Sequence, residues 1–165
     1  MRVRAQVNTN GNFYGTTETG GGGCSCGTVF KLAPNGTETV LHAFQGGNDG
    51  RNPEDALIMD KTGNLYGTTY SGGSTRCHGG GCGIVFKIGP SKRETVLFAF
   101  GGGRFPAAGL LARPHGRFYG TTTAGGADKH GVVIRGIMAQ TPQDFRRLWR
   151  PRSEAARLPL RLGRS

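Results

Sequence analysis

Apolar positions fall in short blocks separated by glycine-rich stretches, and the blocks recur. Phe13-Tyr14-Gly15-Thr16-Thr17 returns as Leu65-Tyr66-Gly67-Thr68-Thr69 and again as Phe118-Tyr119-Gly120-Thr121-Thr122. The tyrosines at 14, 66 and 119 are 52 and then 53 positions apart. A second block, Cys26 to Leu32, matches Cys82 to Ile88 at an offset of 56. A third, Glu38 to Phe44, matches Glu94 to Phe100 at the same offset. Length changes fall in the glycine-rich connections while the apolar blocks keep their spacing. That is the behaviour of surface loops on a repeated scaffold.

Each unit reads as four strands. In the second unit, 56–60, 65–69, 84–88 and 95–100 are short runs of apolar and β-forming residues. They are bounded by Lys61-Thr62-Gly63-Asn64, by the Gly-rich stretch 71–81, and by Pro90-Ser91-Lys92-Arg93. Runs of this length between turn residues are the strand signal. Asn35-Gly36 marks a hairpin turn in the first unit, since both residues tolerate φ > 0. No helical period is evident up to residue 135, and 31 glycines argue against helix. Four antiparallel strands in about 50 residues is the arithmetic of a propeller blade. The predicted fold is therefore all-β, a partial β-propeller of about two and a half four-stranded antiparallel blades. A β-sandwich is the rival, but it gives no reason for repeated units.

The units are placed at 1–52 (partial first repeat), 53–105 (second repeat) and 106–135 (truncated third repeat). Starting inside one unit and stopping inside another, the chain reads as a fragment or as a chain that associates. Outer blades would otherwise expose apolar faces and strand edges. After Arg135 the composition changes. Residues 135–165 carry eight arginines, no lysine, and only Asp144 and Glu154 as acids, which is +6 of the formal +11. Residues 136–165 are expected to be an Arg-rich tail outside the repeat, non-native or disordered, irregular or weakly helical. An abrupt loss of register with an arginine-only bias fits an out-of-frame reading of the gene. Nucleic-acid binding through this tail is a secondary reading. The remaining +5 is ordinary solubilising charge. No apolar run approaches the roughly 18 residues of a membrane span, and the N-terminus lacks the apolar core of a signal peptide.

Chemistry is sparse. Cys24 and Cys26 lie in the glycine loop of the first unit, and Cys77, His78 and Cys82 in that of the second. No metal site is expected: the C-x-C and C-x₄-C spacings of these weak candidates fit zinc poorly. A disulfide is the favoured alternative, with Cys77 and Cys82 the candidate pair, and it would suit an exported protein. His42 has Phe98 in its place in the second unit, which points to packing. Asp60 aligns with Asn8 and Arg113, so no acid is held there. Asp49, Glu54 and Asp55 lack the order of a calcium loop. The glycine loops lack the spacing of phosphate-binding motifs. No catalytic or cofactor-binding residue and no cofactor are expected.

The ordered blocks G-N-[LF]-Y-G-T-T, C-G-[TI]-V-F-K-[LI] and E-T-V-L-x-A-F resemble the bacterial GloVer tandem-repeat family over about residues 4–135. The resemblance implies an exported, surface-anchored β-propeller-like repeat protein of the choice-of-anchor kind, located outside the cell or at its surface. It supplies no catalytic residues. The leading expectation is a non-enzymatic structural or binding module, its Gly-rich loops facing a glycan, a protein or further repeat units. The alternative is part of a propeller-type hydrolase or lyase with a metal site.

Overall fold

The structure, a computed structural model, describes residues 6–73, 77, 80–101, 105–106, 108–125 and 129–137. These form three small antiparallel sheets, one per repeat, with a single 3-10 turn at Gly47–Asp49. The first sheet runs β1 (Gln6–Val7), β2 (Phe13–Thr17), β3 (Thr28–Leu32), β4 (Glu38–Ala43). The second repeats that order with β5 (Ile58–Met59), β6 (Leu65–Thr68), β7 (Ile84–Ile88) and β8 (Glu94–Ala99). The third contains β9 (Leu111–Arg113), β10 (Arg117–Thr121) and β11 (Val133–Ile137). Every strand pairs with its sequence neighbour. Among the described residues no sheet closes on itself. Gly136 and Ile137, assigned from sequence to the tail, complete β11. The rest of that tail, 138–165, lies outside the described residues.

The recurring motif has a physical cause at each position. In Tyr-Gly-Thr-Thr, glycine is crossed by the paired residue of the next strand. A Cβ on Gly67 would lie 2.6 Å from the Phe86 ring and 2.8 Å from Leu57; Gly15 meets Phe30 and Gly120 meets Ile134 in the same way. The last threonine of the motif holds the start of the third strand. The Ile84 amide donates to Thr69 Oγ1 at 3.2 Å, and the hydroxyl donates on to the Ser71 carbonyl at 2.8 Å. The Val132 amide donates to Thr122 Oγ1, and the Thr28 amide to Thr17 Oγ1, in the same arrangement.

Before the first two motifs an Asx turn reverses the chain. Asp60 Oδ1 accepts from the amides of Thr62 and Asn64. Asn8 Oδ1 accepts from those of Asn10 and Asn12. The Tyr66 hydroxyl donates to Asp60 Oδ2 at 3.0 Å. Burial opposes charge on Asp60, but hydrogen bonds from Asn64, Thr62 and Tyr66 outweigh it and hold the carboxyl below its ordinary range. Burial first, and then Asp60, push the Tyr66 hydroxyl well up. In the hairpin at Asn35-Gly36 only Gly36 takes a positive φ, while Asn35 Oδ1 accepts from the Thr37 amide.

The fourth strand of a repeat is apolar without strict alternation because it carries a bulge. Val29 pairs with His42 but Phe30 with Val40; Val85 pairs with Phe98 but Phe86 with Val96. The extra residue, Leu41 or Leu97, locally resets which side chains share a face. The sheets stack through two cores. Val29, Phe44, Leu65, Ile84, Phe86 and Ile88 belong to one, between the first and second sheets. Tyr66, Val85, Leu97, Phe118, Val132 and Ile134 belong to the other, between the second and third. The middle sheet is thus covered on both faces, and Ile84, Val85 and Phe86 are buried in succession.

One acid sits poorly in this stack. Glu94 pairs with Ile88, so it shares the face turned toward the first sheet. Its Oε1 is buried without a hydrogen-bond partner among the described residues. Burial, and then the Asp49 charge, push its pKa up from 4.5 to about 7. A carboxyl that binds its proton more tightly folded than unfolded makes stability fall as pH rises. The window here is from about 4.5 to about 7. We predict that Glu94→Gln raises Tm at pH 8 and leaves it unchanged at pH 4, read by thermal unfolding at both pH values. An equal gain at both would remove the ionisation as the cause.

Candidate functional site

The loops between second and third strands gather at one rim. The linker that leaves the first repeat runs against the loop of the second. Arg51 and Ser71 exchange both backbone hydrogen bonds, at 3.0 and 3.1 Å. The Tyr70 amide donates to the Asn52 carbonyl and the Gly73 amide to the Gly47 carbonyl. Such contact needs glycine: a Cβ on Gly72 would lie only 2.4 Å from Gly50 Cα. The junction with the third repeat repeats the stitch, since the Thr123 amide donates to the Phe105 carbonyl at 2.8 Å.

A groove of about 260 Å³ opens between the first two loops. Backbone of Gly46, Gly47, Gly72 and Gly73 lines it, together with Gln45, Arg51 and the Cys24 and Cys26 pair. Among the described residues its chemistry is that of a polar hydrogen-bonding surface with Arg51 as its cation. Cys24 is bonded to Cys26 and Cys77 to Cys82. All four sulfurs considered from sequence as weak metal candidates are therefore in disulfides. A metal reading needs thiolates, and these cysteines carry none as disulfides. Among the described residues no group of three or more His, Cys, Asp or Glu side chains could hold an ion. His78 lies outside the described residues.

Close to the groove is a pair the sequence did not reveal. His42 Nε2 lies 3.0 Å from Asp49 Oδ1, and Asp49 Oδ2 accepts from the Gln45 amide. The His42 ring also meets Phe44 edge-on, with centroids 4.8 Å apart. His42 thus combines packing with a hydrogen-bond contact to Asp49 beside the 3-10 turn. Phe98, its counterpart in the second repeat, keeps the aromatic part, meeting Phe100 edge-on. Gln45 and Arg51 carried no sequence signal, and Asp49 was weighed only as a calcium-loop acid, because linker residues have no counterpart in a motif. Arg51 could have been suspected only from its place in a Gly-rich linker.

The family model described as the Gloeobacter/Verrucomicrobia repeat matches residues 2–148. The match runs past residue 135, into the segment read from sequence as a separate tail. Among curated proteins, none matches the chain. Among the described residues no helix is long and apolar enough to cross a membrane.

Proposed function

The chain belongs to the Gloeobacter/Verrucomicrobia repeat family, and on that premise we propose that it is a non-enzymatic binding module, its sheets acting as blades of a propeller-like array. The rim where the loops of successive blades are stitched together is the binding face. The observation that carries this reading is the groove between the first two loops, whose walls are fixed by backbone pairing of Arg51 with Ser71. A rigid scaffold under variable loops is the usual arrangement of a recognition surface. Fold alone does not set function, so the ligand class proposed here rests on the chemistry of the groove. The exposed backbone of Gly47 and Gly80, the Gln45 amide and the Arg51 guanidinium suit a hydroxyl-rich or carboxylate-bearing glycan. Two disulfides support an oxidising compartment, outside the cell or at its surface.

The test is titration of the purified chain against neutral and uronic-acid oligosaccharides. We expect binding that Arg51→Ala weakens about tenfold, the loss of one charge-assisted contact at about 1.4 kcal/mol, with Tm unchanged. Binding indifferent to Arg51→Ala and Gln45→Ala, or no binding to any member of the panel, would remove the groove as the glycan site.

A further inference from the structure

We infer that the two outer faces of the three-sheet stack meet each other, so that two copies of this chain associate head to tail. The inference follows from equivalence between repeats. On the middle sheet, Leu65, Phe86 and Ile88 are buried against the first sheet, with Met59 and Val96 packed beside them. The corresponding residues of the first sheet are Phe13, Phe30, Leu32, Val7 and Val40, as the matching registers show. They point away from the stack, and Val7, Phe13 and Val40 are 44–49% exposed.

The third sheet shows the complementary case. Ile58, Tyr66 and Val85 of the middle sheet are buried against it. Their counterparts Leu111, Tyr119 and Val133 face outward, and Leu111 and Val133 are 56% and 54% exposed. Each outer face therefore carries one half of an interface that the chain already builds twice internally. Apolar faces left open in this way mark association surfaces.

Charge selects head to tail over like on like. The outer face of the third sheet also carries Arg113, Arg117 and Arg135, with Arg117 opposite Arg113 and Tyr119 opposite Arg135. The equivalent positions of the first repeat hold Asn8, Asn12 and Lys31. Two such arginine faces would repel one another. The outer face of the first sheet carries Glu38, opposite Leu32, beside its apolar row. The internal interface already places a cation at the Arg135 position, Lys31, toward the face that carries Glu94. A heterologous contact closes into a ring or runs on as a filament. Two copies give six sheets among the described residues, within the 4–8 blades at which propellers close. Closure rests on the propeller reading above, whereas the contact rests on repeat equivalence alone.

Sedimentation equilibrium of the full chain across the micromolar range tests this. Wild type is expected at twice the mass of one chain. Phe13→Lys with Val40→Lys blocks the first face, and Leu111→Lys with Val133→Lys blocks the second. Each double variant is expected at single-chain mass, and an equimolar mixture of the two is expected to recover two-chain particles. These side chains are exposed, so unchanged far-UV dichroism is expected; should a double variant fail to fold, Val40→Lys alone replaces the first and Val133→Lys alone the second. A single-chain wild type, a blocked variant that still pairs with itself, or growth beyond two chains would overturn the inference. Retention of the folded Tm in a single-chain wild type would leave the propeller reading standing.

Discussion

Phe86→Ala should lower stability by about 3–5 kcal/mol, whereas Phe30→Ala, at the same place in the first repeat, should cost about half of that or less in the single chain. The two phenylalanines have equivalent neighbours within their own sheets. Each lies over the glycine of its Tyr-Gly-Thr-Thr motif, Phe86 over Gly67 and Phe30 over Gly15. They differ in what stands above them. Phe86 is fully buried and meets Phe44 of the first repeat edge-on, centroids 5.2 Å apart. Phe30 faces away from the stack and is half-buried. Removing Phe86 leaves a cavity that two sheets cannot both close, so transfer and cavity costs add. At about 2–4 °C per kcal/mol for a chain of this size, Tm should fall by about 10 °C. Denaturant unfolding of both variants, made in the Leu111→Lys, Val133→Lys background that keeps the chain single, measures the difference. Equal losses would mean that the first sheet does not cover the second.

Gly83→Ala should be comparably severe, on the order of 4 kcal/mol, by a different route. Gly83 opens the third strand of the second repeat with φ +88°, and a Cβ there would lie 2.1 Å from the Thr69 carbonyl oxygen. An L side chain in that backbone region is strained by about 1–3 kcal/mol. The overlap with backbone forces a shift costing about 1–3 kcal/mol more. The same two features recur at Gly27, whose Cβ would meet the Thr17 carbonyl, and at Gly131, whose Cβ would meet that of Thr122. The shift would also disturb the Ile84 amide donated to Thr69 Oγ1. Thermal unfolding of Gly83→Ala beside Gly80→Ala gives the contrast, since a Cβ on Gly80 meets nothing within 4 Å. Similar Tm values for the two would refute the steric account.

The strand blocks could be read from sequence because burial on both faces makes them continuously apolar. The run expected at 84–88 is β7, and those expected at 65–69 and 95–100 are β6 and β8 to within a residue. The first strand of the unit was expected at 56–60 but spans only Ile58–Met59. Its neighbour Leu57 turns into the core between the first two sheets instead of pairing. The Asx turns were half visible. Asp60 looked unremarkable because Asn8 and Arg113 align with it, yet a turn needs only a side-chain acceptor, which Asn supplies as well as Asp.

The site was much less legible than the strands. The stitching of Arg51 to Ser71 and of Gly73 to Gly47 is made by backbone groups, which leave no side-chain signature. His42 looked replaceable by Phe98, and for packing it is. Its bond to Asp49 depends on a linker turn for which the second repeat shows no motif. The outer faces could be anticipated from the unit count, but their arginines could be placed only once the registers were known.

The central claim is that the middle sheet is covered on both faces, by the first sheet on one side and the third on the other. Adjacent side chains on β7 test it most directly. In a nuclear Overhauser experiment, Phe86 should show contacts to the Phe44 ring, while Val85 should show contacts to Phe118 and Ile134, which share its core. Finding one of these residues facing solvent, or both contacting the same neighbouring sheet, would contradict the stack.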